Sequence, residues 1–335
     1  MSGLSWPFMR SYIMKTNKEY NGYKSYSYWN QSLYINNDQG LYTFAMQCIK
    51  SYPVKLATLI FIDGLVDCYT PDGVMWTKAG IYSALISLKK GLYIMKKPTG
   101  YILYRGASLL DGEPIVVVAI TKRSSNVKTG DVVQTYILAD NGYSPLDNLK
   151  SLADVSICGS CIHRRGLDGS CYVNVGKGVT MVYKSLIKGN YPVYDPSVND
   201  PVSGKMVRLG TYGDPASVPR YVWDLLLTNA SGHLGYTHQW QSGKAGHVMD
   251  LCMASADNAS ERLQARLLKY RTFRVRSASE PVLKGEFECP ASVEQGKRLT
   301  CVECKACSGG VGTNKGDPVI IVHGSLKSRF VPMAA

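Results

Sequence analysis

Cysteine spacing is the first feature of this chain with chemical content. Cys301-x2-Cys304-x2-Cys307 lies in a Gly- and Lys-rich stretch, with Cys289 upstream and His323 downstream. A loop of that composition cannot build its own core, so a tetrahedral ion or a cluster would hold it together. Cys301, Cys304, Cys307 and His323 would satisfy zinc. Replacing His323 with Cys289 gives four thiolates, which suit zinc or an iron–sulfur cluster. A second set, Cys158-x2-Cys161-x9-Cys171, encloses His163 and adjoins Arg164 and Arg165. With His163 or Cys252 it could hold a second metal. Of ten cysteines, eight fall from position 158 onward. In a reducing compartment, such grouping indicates ligands more often than disulfides.

Polar residues at the ends of expected strands come next. Asp214 follows Val207–Leu209, while His238, Gln239 and Trp240 follow Gly235-Tyr236-Thr237. Asp257 follows Met253–Ala256. In a sheet of alternating strands and helices, chemistry gathers at the carboxyl ends of the strands. There a carboxylate can act as nucleophile or general base, Gln239 can read an amide edge and Trp240 can stack on a flat ring. Asp214 before Pro215, Asp257 beside Asn258 and a core His238 also fit turn, cap and packing roles. Arg274 and Arg276 alternate along a strand and so share a face, where they could meet phosphates or solvent.

The elements that must position these residues are legible from periodicity. Apolar residues at helical spacing occur at Leu41, Phe44, Ala45 and Cys48, and again at Ile81, Ala84, Leu85 and Leu88. Thr70-Pro71-Asp72-Gly73 is a turn between them. Residues 101–104, 114–120 and 131–138 read as strands, with Lys128-Thr129-Gly130 turning before the last. Further strands are expected at 206–209, 233–238, 249–254, 272–276 and 318–323. Helices are expected at 218–228 and from a capping box at Asn258-Ala259-Ser260-Glu261 to about residue 270. The expectation is an α/β fold with three parts: a basic, aromatic-rich helical module over 1–97, a β-rich segment over 98–150, and a (β/α) barrel-like domain over 151–335 carrying the cysteine clusters.

Composition bounds the function. The 335 residues are 45% hydrophobic and 19% charged, which excludes a disordered chain. No run approaches the length of a membrane span, and the first residues do not form a signal peptide, so a cytoplasmic protein with no membrane partner is expected. Thirty-eight basic against 25 acidic side chains give +13, of which residues 1–110 carry +7 (12 basic, 5 acidic). Trp6, Tyr12, Tyr20, Tyr23, Tyr26, Tyr28, Trp29, Tyr34 and Tyr42 interleave with that charge, a pattern suited to single-stranded nucleic acid or to a Tyr-packed core.

Residues 108–330 resemble a family of uncharacterised phage and prophage proteins. The resemblance rests on Ser125–Asp131 with Gln134-Thr135, on Cys158-Gly159-Ser160-Cys161-Ile162-His163-Arg164 and on Cys171-Tyr172-Val173-Asn174. It continues through Gly210–Pro215, Tyr236–Trp240 and Cys289-Pro290-Ala291-Ser292. Tyr28-Trp29-Asn30 with Asn36–Tyr42 resembles a separate small phage module, which implies a fusion. More remotely, the chain is similar to tRNA-guanine transglycosylases and their phage relatives that place 7-deazaguanines in DNA. These are (β/α) barrels with strand-end aspartates and a late C-x-C-x2-C…His zinc site; here the first gap is two residues and His323 follows sooner. That similarity implies Asp214 or Asp257 as nucleophile and base, with Trp240 or Tyr236 stacking the purine. The Cys158 set also resembles radical enzymes that bind S-adenosylmethionine, whose spacing is C-x3-C-x2-C.

Together these readings lead to the expectation of a phage enzyme, working in the host cytoplasm, that modifies a nucleic-acid base. DNA stands ahead of RNA as the substrate and Zn2+ is the expected metal. The flipped base would enter near Asp214, His238 and Asp257, with Tyr236, Gln239, Trp240, Arg274 and Arg276 holding it. The alternatives are a [4Fe–4S] radical-type enzyme using S-adenosylmethionine at Cys158, Cys161 and Cys171, and a non-catalytic, metal-stapled nucleic-acid-binding protein.

Overall fold

A computed structural model describes residues 19–95, 98–124, 129–293, 295–296, 298–310 and 316–330. Trp6, Tyr12, Ser125, Asn126, Val127 and Lys128 of the motifs above lie outside the described residues. The chain divides into two compact units, Met1–Met95 and Lys96–Ala335.

The first unit is helical: α1 (Tyr26–Asn37), α2 (Gln39–Ser51), α3 (Val54–Asp63) and α4 (Lys78–Met95). Asp38 separates the first two, its carboxylate accepting the Leu41 N–H at 2.8 Å as an N-cap. The helical spacing at Leu41–Cys48 and Ile81–Leu88 buries one stripe of each helix. Ile35, Ala45, Val54, Ala57, Phe61, Ile81, Ala84 and Leu85 are fully buried. Buried Asn30 and Gln31 tie the 70–77 turn to α1 through Asp72, Thr70, Met75 and Thr77. Tyr20, Tyr26 and Trp29 cluster with ring centroids 5.0–5.5 Å apart, so part of the aromatic excess packs on itself.

The second unit is built on one nine-stranded sheet. In chain order its elements are β1 (Gly100–Ala107), β2 (Pro114–Ile120), β3 (Val133–Ala139), α5 (Pro145–Lys150), α6 (Val155–Cys158) and α7 (Thr180–Ile187). Then follow β4 (Met206–Tyr212), α8 (Arg220–Leu227), β5 (Gly232–Thr237), β6 (Met253–Ala256), α9 (Ala259–Leu267) and β7 (Thr272–Arg276). β8 (Glu286–Glu288), α10 (Cys301–Cys304) and β9 (Asp317–Ile321) complete it. The strand order is β1-β2-β3-β4-β5-β6-β7-β9-β8. β1, β2 and β3 pair antiparallel, and every later pair is parallel. β2, Pro-Ile-Val-Val-Val-Ala-Ile, is buried along almost its whole length, as a strand covered on both faces must be.

The barrel expected from the β/α alternation is not what forms. The sheet is open: β1 ends one edge and β8 the other. The alternation itself lapses, because the β5–β6 connection holds only a 3-10 turn at Gly246–Val248, and three-residue β8 inserts outside β9. Without a helix after every strand, the regular tilt that closes a barrel is not imposed.

Alternation along the parallel strands separates two faces. The register places Arg208, Tyr236, Ser255, Phe273 and Val275 on one of them. All five are partly accessible, although most of their strand neighbours are buried. This half-open face runs up to the carboxyl ends that carry the polar residues.

Candidate metal centre at the carboxyl edge

Asp214, His238 and Asp257 do meet, because β4, β5 and β6 are adjacent and parallel and each residue lies just beyond its strand. Asp214 has both carboxylate oxygens occupied: one accepts the Ala216 N–H at 3.0 Å, the other the His238 N–H at 2.8 Å. It therefore caps its own turn and fixes the backbone of the next strand end. Burial raises its pKa, against those hydrogen bonds.

The β3–β4 crossover brings the first cysteine set to the same edge. Cys158 ends α6, and the Asp214 N–H donates to the Ile157 carbonyl at 2.6 Å. The chain then turns through Gly159 at φ +55°, ψ −132°, a conformation only glycine adopts readily, and the Cys161 N–H returns to the Cys158 carbonyl at 3.2 Å. The Cys171 N–H donates to the His163 carbonyl at 3.0 Å, which folds the third thiol back onto the first two. Gly169 permits that approach, since a Cβ there would sit 2.3 Å from the His163 carbonyl carbon.

The side chains form a connected polar cluster. The Ser170 hydroxyl is 2.8 Å from His163 Nδ1, and His163 Nε2 is 2.7 Å from an Asp257 oxygen. His238 Nε2 lies 3.9 Å from that same oxygen. Burial alone would lower the His238 pKa, but the charge and hydrogen bond of Cys161, then Asp257 and Asp214, push it up to about 10. Asp257 is held below the usual carboxylate range: burial opposes this, and His163 and His238 prevail. The Cys158 thiol is driven well up by burial and then by the charges of Cys161 and Cys171, as grouped thiols are before a cation joins them.

Among the described residues, the potential ligand atoms of His163, His238 and Asp257 all lie within 4.8 Å of one another. The thiols of Cys158, Cys161 and Cys171 form no such group. A tetrahedral zinc with Zn–S bonds of about 2.3 Å spaces its sulfurs by roughly 3.8 Å. Cys289, Cys301, Cys304 and Cys307 likewise form no such group, so either cysteine set would have to draw in around a metal.

The structure places the other candidate residues elsewhere or commits them. Gln239 is 1% exposed; its Nε2 donates to the Cys158 carbonyl at 3.0 Å, and its Oε1 accepts from the Ser160 N–H and hydroxyl at 3.3 and 3.2 Å. It holds the cysteine turn and has no edge left for a base. Trp240 is buried among Ala254, Ala265 and Tyr270, with its indole N–H on the Ser255 carbonyl at 2.7 Å. Arg274 pairs with Glu286 through two 2.8 Å contacts, and Arg276 with Glu288 at 2.8 Å. Both arginines lie on the face opposite Phe273, so neither can reach a ligand on the half-open face. Tyr236 does face it, edge-on to Phe273 at 4.7 Å.

The C-terminal cysteines lie apart from this edge. Cys301 and Cys307 pack against Val132, Met206 and Leu234, which stand at or near the amino-terminal starts of β3, β4 and β5. The Gly235 N–H donates to the Cys307 carbonyl at 3.2 Å. Burial first, then the neighbouring thiols Cys289, Cys301 and Cys304, push Cys307 up to about 12, against a lowering hydrogen bond from Tyr236. His323 stands with Tyr172, the rings stacked at 5.4 Å. The residue that sequence reasoning passed over is Arg208. Its signal was present: a cation between Val207 and Leu209 in an otherwise apolar strand.

Residues 16–90, most of the helical unit, match a family described as Family of unknown function (DUF7249). No curated protein and no solved structure matches the chain. The match covers none of the residues of the carboxyl edge. Among the described residues, no helix is long and apolar enough to cross a membrane.

Proposed function

We propose that this chain is a metal-dependent enzyme whose centre is an iron–sulfur cluster held by Cys158, Cys161 and Cys171. One observation supports the reading most: the crossover that leaves the first strand of the parallel run gathers three thiols, near enough to act on one another's ionisation, at the carboxyl edge of an open sheet. Three protein ligands would leave a coordination position open to a co-substrate such as S-adenosylmethionine, and the group would supply one-electron chemistry there. The protein's own residues supply the setting. Gln239 and Asp214 fix the turn, and the raised His238 stands as a cation beside Cys161 and Asp257. The net charge of +13 favours an anionic substrate such as nucleic acid. Base exchange at Asp214 has less support, because both of that carboxylate's oxygens already accept backbone N–H groups.

A second reading, one ion on His163, His238 and Asp257, is favoured by their mutual approach. The C-terminal thiols Cys289, Cys301, Cys304 and Cys307 are read as a separate structural zinc site, supported by their effect on one another and their packing under the strands.

Iron, sulfide and zinc content, with a visible spectrum, of anaerobically purified protein tests these assignments. Iron and sulfide in equal amounts, lost in Cys171→Ala and kept in Cys304→Ser, is the expected result. Colourless protein whose second metal survives Cys171→Ala but not Asp257→Asn would replace the cluster with the single ion.

A further inference from the structure

We propose that Arg208 is the docking point for an oxyanion, a carboxylate or phosphate group, of a ligand that enters the half-open face of the sheet. Most arginines in this unit already face an acid: Arg164 meets Asp154, Arg220 meets Asp224 and Asp250, Arg262 meets Glu286 and Asp317, and Arg274 and Arg276 are paired as described. Arg208 differs. Among the described residues no carboxylate pairs with it, and no carbonyl replaces one as the Ser308 and Gly316 carbonyls do for Arg271; its Nε, like those of Arg164, Arg262, Arg271 and Arg276, is buried without a hydrogen-bond partner. A guanidinium carries five N–H donors and no acceptor. One Nη donates to the Tyr172 hydroxyl, and the guanidinium carbon stands 6.0 Å from that ring.

The surroundings are those of a binding site rather than of a core ion pair. Burial opposes the charge of Arg208, and the groups that face it are the Tyr172 and Tyr236 phenols and the Cys301 thiol, none of them a carboxylate. Tyr136, the one partly accessible residue of β3, also senses its charge. Phenols can donate to an anion as well as accept from the arginine, so Tyr136 and Tyr172 offer donors beside the Arg208 cation, while Tyr236, whose hydroxyl bonds Cys307, adds an aromatic wall. Tyr172 is 46% exposed and marks an open side. An unpaired cation so far into a fold is costly unless an anion joins it, and the planar guanidinium suits the two-point recognition of carboxylate or phosphate. Tyr172 directly follows Cys171, so an oxyanion at Arg208 would hold its ligand beside the cysteine loop. The anion site itself requires no metal and stands independently of the cluster assignment.

The test uses the full chain with two probes, inorganic phosphate followed by phosphorus NMR line broadening and acetate followed by carbon NMR, at constant ionic strength. Saturable broadening of at least one probe is expected, weakened about tenfold or more in Arg208→Lys and abolished in Arg208→Met. Lys150→Met, at an exposed surface position, serves as the control that leaves it unchanged. Phosphate alone identifies a phosphorylated ligand, and acetate alone a carboxylate. Broadening of neither probe by the parent, or equal broadening by the parent and a folded Arg208→Met protein, overturns the proposal whatever the metal content.

Discussion

Gln239 joins the strand end to the cysteine turn, and its removal is the sharpest test of how this edge is held. Gln239→Ala deletes the bond to the Cys158 carbonyl at 3.0 Å and the two longer ones from Ser160. Ser160 is exposed, so water can replace its two bonds, whereas the Cys158 bond is made by a side chain 1% exposed. At about 1 kcal/mol for a buried hydrogen bond, with a smaller sum for the solvent-replaced pair, the loss comes to about 2 kcal/mol. For a folding unit of this size that corresponds to a fall in Tm of about 4–8 °C. Gln239→Glu keeps the shape but replaces the donor with an oxygen facing the Cys158 carbonyl, so it should lose at least as much. The assay is differential scanning calorimetry of anaerobic samples with metal content measured in parallel. Both variants should melt lower and hold less iron. A Gln239→Ala protein that melts with the parent and carries the same iron would refute the clamp, and with it the geometric basis for the three-thiol site.

Three further outcomes follow from buried groups. Arg274→Met removes one of two guanidinium partners from a Glu286 side chain that is 0% exposed, leaving Arg262 at 3.1 Å and the Leu283 N–H, and should cost about 1–3 kcal/mol in urea denaturation, less than a stranded buried charge would; an unchanged urea midpoint would refute the stabilising role of the pair. Burial holds the His233 imidazole below its ordinary value, and its Nε2 has no hydrogen-bond partner among the described residues. The unfolded chain therefore binds the proton more readily, so this contribution is complete above about pH 6.5 and is lost as pH falls through the folded value. Comparing urea midpoints against pH for the parent and His233→Gln should show a shallower acid slope in the variant. Finally, Cys304→Ser or strong chelation should remove one zinc per chain and lower the Tm, while Cys171→Ala keeps that zinc; a melting curve indifferent to both would remove the structural role assigned to the C-terminal thiols.

The sequence by itself determined most of the elements and the meeting of three of their ends. Apolar periodicity located α2 and α4, Pro219 and the Asn258–Glu261 capping box located α8 and α9, and apolar and β-branched runs located most of the strands, because each of those signals is local. Asp214, His238 and Asp257 converge for a simple reason: parallel strands place successive carboxyl ends side by side. What the sequence could not carry is which polar groups would already be committed. Gln239 reaches a carbonyl 81 residues away, and Arg274 is consumed by a glutamate on a strand added outside β9. Neither partner is implied by local spacing. Closure of the sheet was equally hidden, since it depends on the tilt and pairing of the edge strands and not on the pattern of any one of them. Arg208 shows the same division. Its place in an apolar strand is written in the chain, but its lack of an acid emerges only when phenols and a thiol, rather than a carboxylate, are folded around it. Hydrogen bonds and ion pairs are short-ranged in space and indifferent to separation along the chain, so tertiary structure alone decided which charges remained available for chemistry.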